Sequence, residues 1–505
     1  MKRSYQPGGT KDYETFMPHG AQRNMKIKMH FQRKIRMHFQ QKKNFLWTIR
    51  GAFFVLLFLL VSCTGIPTQE EAPGPQETST QEDPPSEEQL APGRGEETAE
   101  VPGQEPGQAE TEEDLKAMDE WCPSWSPDGS RIIFIRSSGP VGSTQGERKK
   151  EIWIADLKTE KQRRLASLNS EPKYLYRSSD LIWSSDGKFL VYQDEGGPKG
   201  NAIYRIEMEK LTRTELATQT DLLSSPSLSS DNSSLLIAKS DGVYLLDLET
   251  GEEQRKIEGK GIHDMVWGKE EKEIFFTQAN GTDFEGEGED LLIMDLESQE
   301  VKKLASYQLH IQSLTYLKEI DRLFYVIVDR GRGDQITALL DPRKTEITQL
   351  SPGIVEGHSL SQDGKLLIQA EYPQGAAPGE NRRGIDLFLI DLSDVAKVTR
   401  TNLTNSKGTG EIRPSFSPDG KRIAFQVLAE QGKELWVMNA DGTEQTRLLS
   451  QEEFPNFFWC PPSWSPDSQL LASGANQGGN DDLLILDTQG KVVKNISQEF
   501  SIVKE

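Results

Sequence analysis

A four-residue turn recurs along this chain, and its recurrence constrains the fold more than any other feature. Ser126-Pro127-Asp128-Gly129 returns as Ser417-Pro418-Asp419-Gly420 and as Ser465-Pro466-Asp467-Ser468. Weaker copies stand at Ser185-Asp186-Gly187, Ser230-Asp231-Asn232 and Gln362-Asp363-Gly364. Two further units, near Gly268 to Glu271 and Leu317 to Ile320, keep the spacing without the letters. Proline presets φ, aspartate bonds its own backbone and glycine admits left-handed geometry, so such a segment closes a hairpin. Each turn precedes an apolar run, such as Ile132-Ile133-Phe134-Ile135, Phe189-Leu190-Val191-Tyr192 or Leu323-Phe324-Tyr325-Val326. Continuous apolar strands are buried on both faces.

Third strands follow the same logic in Glu151-Ile152-Trp153-Ile154, Asp290-Leu291-Leu292-Ile293, Asp386-Leu387-Phe388-Leu389, Glu434-Leu435-Trp436-Val437 and Asp482-Leu483-Leu484-Ile485. Most units then show an acid or amide that opens another turn: Asp156, Asp247, Asp295, Asp341, Asp391, Asn439 and Asp487. Their recurrence at turn-initiating positions marks them as turn formers and not as paired catalytic carboxylates. Counting turns gives eight units about 48 residues apart, the repeat length of a propeller blade. The expectation is an all-β chain, a β-propeller of about eight four-stranded blades over residues 121–505. Seven blades is the fallback, should one of the degenerate units near Gly261 and Ile311 be an insertion.

Ahead of the repeats the composition changes twice. The chain has 505 residues and a formal net charge of −21, yet residues 1–50 are basic and run into the apolar stretch Gly51 to Val61. A membrane-spanning helix needs roughly 20 apolar residues, whereas about 10 to 14 suits a signal-peptide core. Residues 1–62 therefore read as a basic n-region and an export signal. The near-duplicate Met29-His30-Phe31-Gln32 and Met37-His38-Phe39-Gln40 leaves Met37 as an alternative translation start. Residues 63–120 are rich in Pro, Gly, Gln, Glu and Thr, with too little apolar surface to offset chain entropy, so they read as a disordered acidic linker. Its reach is about 40 Å.

Two resemblances sharpen these readings. Leu60-Val61-Ser62-Cys63 resembles the lipobox of bacterial lipoprotein precursors, which implies cleavage before Cys63 and a diacylglyceryl group on its thiol, with palmitate among the acyl chains. Pro-Ser-Trp-Ser-Pro-Asp-Gly from Pro123, Pro-Ser-Phe-Ser-Pro-Asp-Gly from Pro414 and Trp436-Val437-Met438-Asn439-Ala440-Asp441-Gly442-Thr443 resemble the WD40-like repeats of the TolB propeller. The propellers of the dipeptidyl peptidase IV and prolyl oligopeptidase families are similar. The TolB resemblance implies an α/β domain before the propeller, where this chain has the linker. The peptidase resemblance implies a G-x-S-x-G nucleophile elbow, which does not occur in the sequence.

Motifs for other chemistry are few. H-E-x-x-H, C-x-x-C and G-x-x-x-x-G-K-[ST] are all missing. Three histidines fall in the repeats, His263, His310 and His358, each near the first strand of successive units. First strands line a propeller's channel, so these imidazoles are candidate ligands for a transition metal, as in propeller-fold polysaccharide lyases. Their registers differ, which argues for ordinary strand-end histidines. The loop Asp283 to Asp290 offers oxygen atoms for calcium without the alternating spacing of known loops. Aromatics at first-strand ends (Trp121, Trp125, Trp183, Trp267, Phe416, Phe457, Phe458, Trp459, Trp464) suit either a ligand-gripping channel mouth or blade packing.

With Cys63 assigned to lipid, Cys122 and Cys460 remain, in matching contexts Trp121-Cys122-Pro123 and Trp459-Cys460-Pro461 of the first and last units. Ring closure makes those units neighbours, and an exported protein keeps disulfides, so a 122–460 bridge is expected. By loop entropy it contributes roughly 4–5 kcal/mol. The functional expectation is a lipid-anchored, non-catalytic, monomeric scaffold on the extracytoplasmic side of a bacterial membrane, binding an envelope protein, peptide or glycan and needing no cofactor. The acidic balance argues against nucleic acid. The alternative is a metal-dependent polysaccharide lyase, or another hydrolase-like enzyme, working in the central channel.

Overall fold

A computed structural model of the chain describes residues 119–503, except 139–148, 169–180, 198–199, 220–225, 281–287, 330–333, 375, 377–381, 431, 455, 458–459 and 477–480. The export signal, Cys63, the alternative start Met37 and almost all of the linker lie outside these residues, as does most of the acidic loop from Asp283.

The strands assemble into eight antiparallel sheets, which settles the blade number at eight. Blade 1 comprises Asp119–Trp125, Arg131–Ser138, Lys149–Asp156 and Lys161–Leu168, starting two residues before the expected boundary. Blades 2 and 3 open with Leu181–Trp183 and Ser227–Leu228. The two units with lost letters are true blades: blade 4 opens with Ile262–Trp267 and blade 5 with His310–Leu317. Blade 6 comprises Val355–Leu360, Leu366–Glu371, Asp386–Asp391 and Thr399–Asn402, and blade 7 Gly410–Phe416, Arg422–Leu428, Lys433–Asn439 and Thr446–Leu449. In blade 8 the first strand is split into Asn456–Phe457 and Ser463–Trp464, followed by Leu470–Asn476, Asp481–Asp487 and Val492–Asn495.

The core lies between the blades. Second strands such as Ile132-Ile133-Phe134-Ile135 are at most 1% exposed because successive side chains point to opposite sheet faces and each face meets a neighbouring blade. Ile133, Ile135 and Ile152 pack on Leu190 and Tyr192 of blade 2. Ile132, Phe134 and Trp153 pack the other way, on Leu483 and Ile485 of blade 8. Similar clusters join every consecutive pair of blades, so the ring is closed.

The strand order divides the connections between two faces. Turns from first to second and from third to fourth strands lie on one, the turn face. Second and fourth strands end at the other, the loop face, where first and third strands begin. First strands of neighbouring blades touch around the centre. Several carry a bulge three to five residues before the turn, between Trp121 and Ser124, Ile262 and Met265, Gln312 and Thr315, and Ile412 and Ser415. Bulge residues Cys122, Ser313 and Arg413 have φ of 53°, 58° and 54°, which turns them out of the ladder at the ring's inner edge.

The seam has a second fastening that the repeats did not foretell. After blade 8, Ile496–Glu499 forms one helical turn, and Ser501–Ile502 adds a parallel strand outside blade 1, pairing with Lys161 and Gln162. Gln162 is 1% exposed, and its Nε2 donates to the carbonyls of Phe500 (3.0 Å) and Ile496 (3.3 Å). Ile496 and Phe500 fill the blade 8–blade 1 cluster.

Candidate functional site

The repeated turns are self-contained. Ser126 Oγ donates to Asp128 Oδ1 (2.6 Å) and accepts from Arg131 N (2.9 Å), while Asp128 Oδ1 accepts from Ser130 N (3.0 Å). The same serine-to-aspartate bond recurs at Ser229–Asp231 (2.6 Å), Ser361–Asp363 (2.7 Å), Ser417–Asp419 (2.7 Å) and Ser465–Asp467 (2.6 Å). The serine hydroxyl is the main reason that Asp128, Asp231, Asp363 and Asp467 stay below the usual carboxylate range. Asp186, bonded chiefly by the Lys188 side chain, is lowered to about 2. Asp156, Asp247, Asp295, Asp341, Asp391 and Asp487 accept turn amides two to four residues on, so they form turns as expected.

Adjacent turns also hold one another. Asn232 Nδ2 donates to Ser185 Oγ (2.8 Å) and Asp419 N to Ser468 Oγ (3.1 Å). A Cβ on Gly129 would touch Pro466 at 3.5 Å, and one on Gly187 would touch Pro127 at 3.5 Å.

The first-strand aromatics are joints. Trp125 Nε1 donates to the Ser463 carbonyl (3.1 Å), Trp464 Nε1 to that of Ser415 (3.1 Å) and Trp267 Nε1 to that of Ser227 (3.2 Å), each reaching the preceding blade around the ring. Phe416 is 7% exposed, and its backbone N donates to Ser359 Oγ (3.1 Å) of blade 6. Trp183 keeps its indole N–H buried with no acceptor among the described residues. The side chains of Trp121, Phe457, Phe458 and Trp459 lie outside the described residues. A cavity of about 560 Å³ opens beside these joints, where Trp125, Trp464 and Phe416 meet Pro127, Pro418 and Pro466. Cys122 and Cys460 line it as well, their Cα atoms 5.3 Å apart and their sulfurs bonded across the seam.

The three histidines do not come together. His310 Nδ1 lies 2.9 Å from Glu289 Oε1, and Glu289 Oε2 accepts from Ile311 N (2.8 Å), which ties blade 5 to blade 4. His358 packs on Phe324, ring centroids 5.1 Å apart. His263 stands in the bulge of blade 4. Among the described residues, no three His, Cys, Asp or Glu side chains form a group that could hold a metal ion.

A charged cluster escaped sequence reasoning. Glu356, at the start of blade 6, accepts from Arg382 Nη2 at Oε1 and from Tyr372 Oη at Oε2 (2.8 Å). Arg413 and Lys433 of blade 7 lie within electrostatic reach of both Glu356 and Arg382. Burial, first, draws the Arg413 guanidinium down to about 10, with Glu356 opposing the shift and Arg382 adding to it. Burial, then Arg413 and Arg382, draw Lys433 down as well. No single segment signals this cluster. The residues come from four separate stretches, which meet only because first and third strands of adjacent blades start on the same face.

No protein-family model matches the chain. A Bacillus subtilis (strain 168) protein named "Uncharacterized peptidase YuxL" is 27% identical over 187 residues, which is 37% of this chain and 25% of that protein. The chain thus spans about a quarter of the length of that curated relative. The dipeptidyl peptidase 4 of Porphyromonas gingivalis superposes with a TM-score of 0.50 at 10% identity, covering 74% of this chain and 59% of that one. The chain folds as an eight-bladed β-propeller. TolB from Acinetobacter baumannii itself aligns at 16% identity and a TM-score of 0.32, covering 69% of this chain and 76% of that one. The likeness to the dipeptidyl peptidase shows the fold alone.

Proposed function

We propose that this protein is a non-catalytic binding propeller, tethered through lipidated Cys63 to the extracytoplasmic face of a bacterial membrane and presenting its loop face to an envelope protein, peptide or glycan. One observation carries the reading: the polar groups that recur in the blades are engaged in holding the ring. Serine hydroxyls and aspartates close turns, and tryptophan N–H groups join blades. The blade carboxylates Glu151 and Glu434 pair with Arg164 and Arg447 of their own blades (both 3.0 Å) while accepting from Trp153 and Trp436. Variation between blades gathers in the loop-face connections, where a rigid scaffold presents binding residues.

Proximity labelling from the full-length protein in its native envelope tests the reading. A reproducible set of envelope neighbours that is lost when loop-face connections are shortened supports it. Stoichiometric manganese or zinc on the purified protein, lost in His310→Ala together with a turnover of an acidic polysaccharide, overturns it in favour of an enzyme. Cys63→Ser tests the tether: the protein leaves the membrane fraction and no longer incorporates labelled palmitate.

A further inference from the structure

We propose that the cavity on the turn face, shared by blades 6, 7, 8 and 1, binds an uncharged sugar unit of a glycan. Four consecutive blades build it from matching positions. Trp125, Leu360, Phe416 and Trp464 each end a first strand, one residue before the turn serine, and all four line it. Pro127, Pro418 and Pro466 each follow that serine and line it too, and in blade 6 Gln362 takes the proline's place. Ser124, Ser415 and Ser463, which precede the aromatics, complete the pattern. The volume of about 560 Å³ falls within the roughly 300–1,000 Å³ of ligand cavities.

The joints between blades fix these groups before any ligand arrives. The N–H groups of Trp125 and Trp464 are spent on the carbonyls of Ser463 and Ser415 (both 3.1 Å), which ties each indole to the serine of the preceding blade. The serine side chains are not spent. Among the described residues, the hydroxyls of half-buried Ser124, Ser415 and Ser463 and the amide of exposed Gln362 form no hydrogen bond. The equivalent serine of blade 6, Ser359, is used up by the fold, accepting from Phe416 N (3.1 Å).

The lining decides the ligand's chemistry. In a chain that is 27% charged, none of the described residues lining the cavity offers an ionisable side chain, Cys122 and Cys460 being bonded to one another. A charged ligand would give up its hydration there without a partner of opposite sign. The turn carboxylates Asp363 and Asp419, next in the chain after Gln362 and Pro418, already face Lys365 (4.0 Å) and Lys421 (3.8 Å). A wholly apolar ligand would cut three hydroxyls and an amide off from water without replacing their bonds. A neutral sugar ring meets both conditions. Its hydroxyls donate and accept, as serine and the carboxamide do, and its C–H faces can pack on proline and aromatic rings. The site lies on the turn face and is independent of partner binding by the loop face.

Calorimetric titration of the full-length protein in a sugar-free detergent tests it. Maltotriose and tri-N-acetylchitotriose serve as neutral probes, trigalacturonic acid as a charged one and hexaproline as a neutral peptide. Saturable binding of a neutral trisaccharide is expected. Ser124→Ala, Ser463→Ala and Gln362→Ala should each weaken it about three- to tenfold, the loss of one hydrogen bond. Because these side chains bond nothing within the protein, the same substitutions should leave the melting temperature unchanged. Shortened loop-face connections should leave sugar binding intact, so the turn-face site and the loop-face reading fail separately. Failure of both trisaccharides to saturate folded protein at millimolar concentration overturns the proposal, as does binding that all three substitutions leave unaltered. Saturation by trigalacturonic acid or hexaproline in place of the neutral trisaccharides overturns it too, assigning an anionic or a peptide ligand.

Discussion

Ser417 illustrates how a single hydroxyl serves as both donor and acceptor in a turn, donating to Asp419 Oδ1 (2.7 Å) and accepting from Arg422 N (2.9 Å). Ser417→Ala leaves that half-buried amide without its side-chain acceptor, so a loss of about 1 kcal/mol is expected from urea unfolding. Trp464→Phe removes the donor to the Ser415 carbonyl and part of the ring that fills the blade 7–blade 8 cluster, and should cost about 1–3 kcal/mol. The aspartates set a pH dependence. Their folded proton affinities lie below the ordinary value, so the folded state binds fewer protons than the unfolded chain as pH falls. Their contribution is complete above about pH 4 and disappears as pH drops toward 2, the value reached by Asp186. Melting temperature should therefore be level from pH 5 to 7 and fall below pH 4; a fall that begins near pH 6 would contradict the assignment. These residues were legible in the sequence because turn chemistry is local, fixed by neighbours two to five positions away. The function of the first-strand tryptophans was not, since the carbonyl that each one meets belongs to another blade.

Among elements, the second strands were the easiest to foresee, because burial on both faces leaves an unbroken apolar run. Blades 4 and 5 were harder. Lys269–Glu271 replaces the usual turn with a 3₁₀ turn, and Leu317 to Asp321 closes through Ile320 N donating to the Leu317 carbonyl (3.2 Å). Geometry is kept there without the letters that advertise it. The terminal strand Ser501–Ile502 could not be foreseen, since two residues carry no period and their partner strand lies more than three hundred positions away. Phe500 is 5% exposed in the seam cluster, so Phe500→Ala should cost about 3–5 kcal/mol in unfolding free energy. An effect under 1 kcal/mol would mean that the tail does not fasten blade 8 to blade 1. The cation cluster was illegible for the same reason as the tail: Glu356, Arg382, Arg413 and Lys433 are unremarkable in their own segments, and the ring alone makes them neighbours.

At the scale of the molecule, each blade relies on the next, and a repeat ring is only as stable as the contact that closes it. Here three devices meet at one seam: the apolar cluster of Trp125, Phe134 and Ile485, the terminal strand on blade 1, and the pair Cys122–Cys460. The cysteines are 338 positions apart in sequence and 5.3 Å apart at Cα, a separation that suits a disulfide. Loop entropy assigns such a bridge roughly 4–5 kcal/mol, so oxidised protein should melt well above the Cys122→Ser/Cys460→Ser variant, and a reductant should erase the difference. The measurement that bears most directly on this closed eight-bladed ring is peptide mapping of the oxidised, exported protein without reduction. The ring predicts one fragment pair joining the Cys122 and Cys460 peptides, separated by reductant. Free thiols at both positions, or either cysteine bridged to another chain, would contradict it.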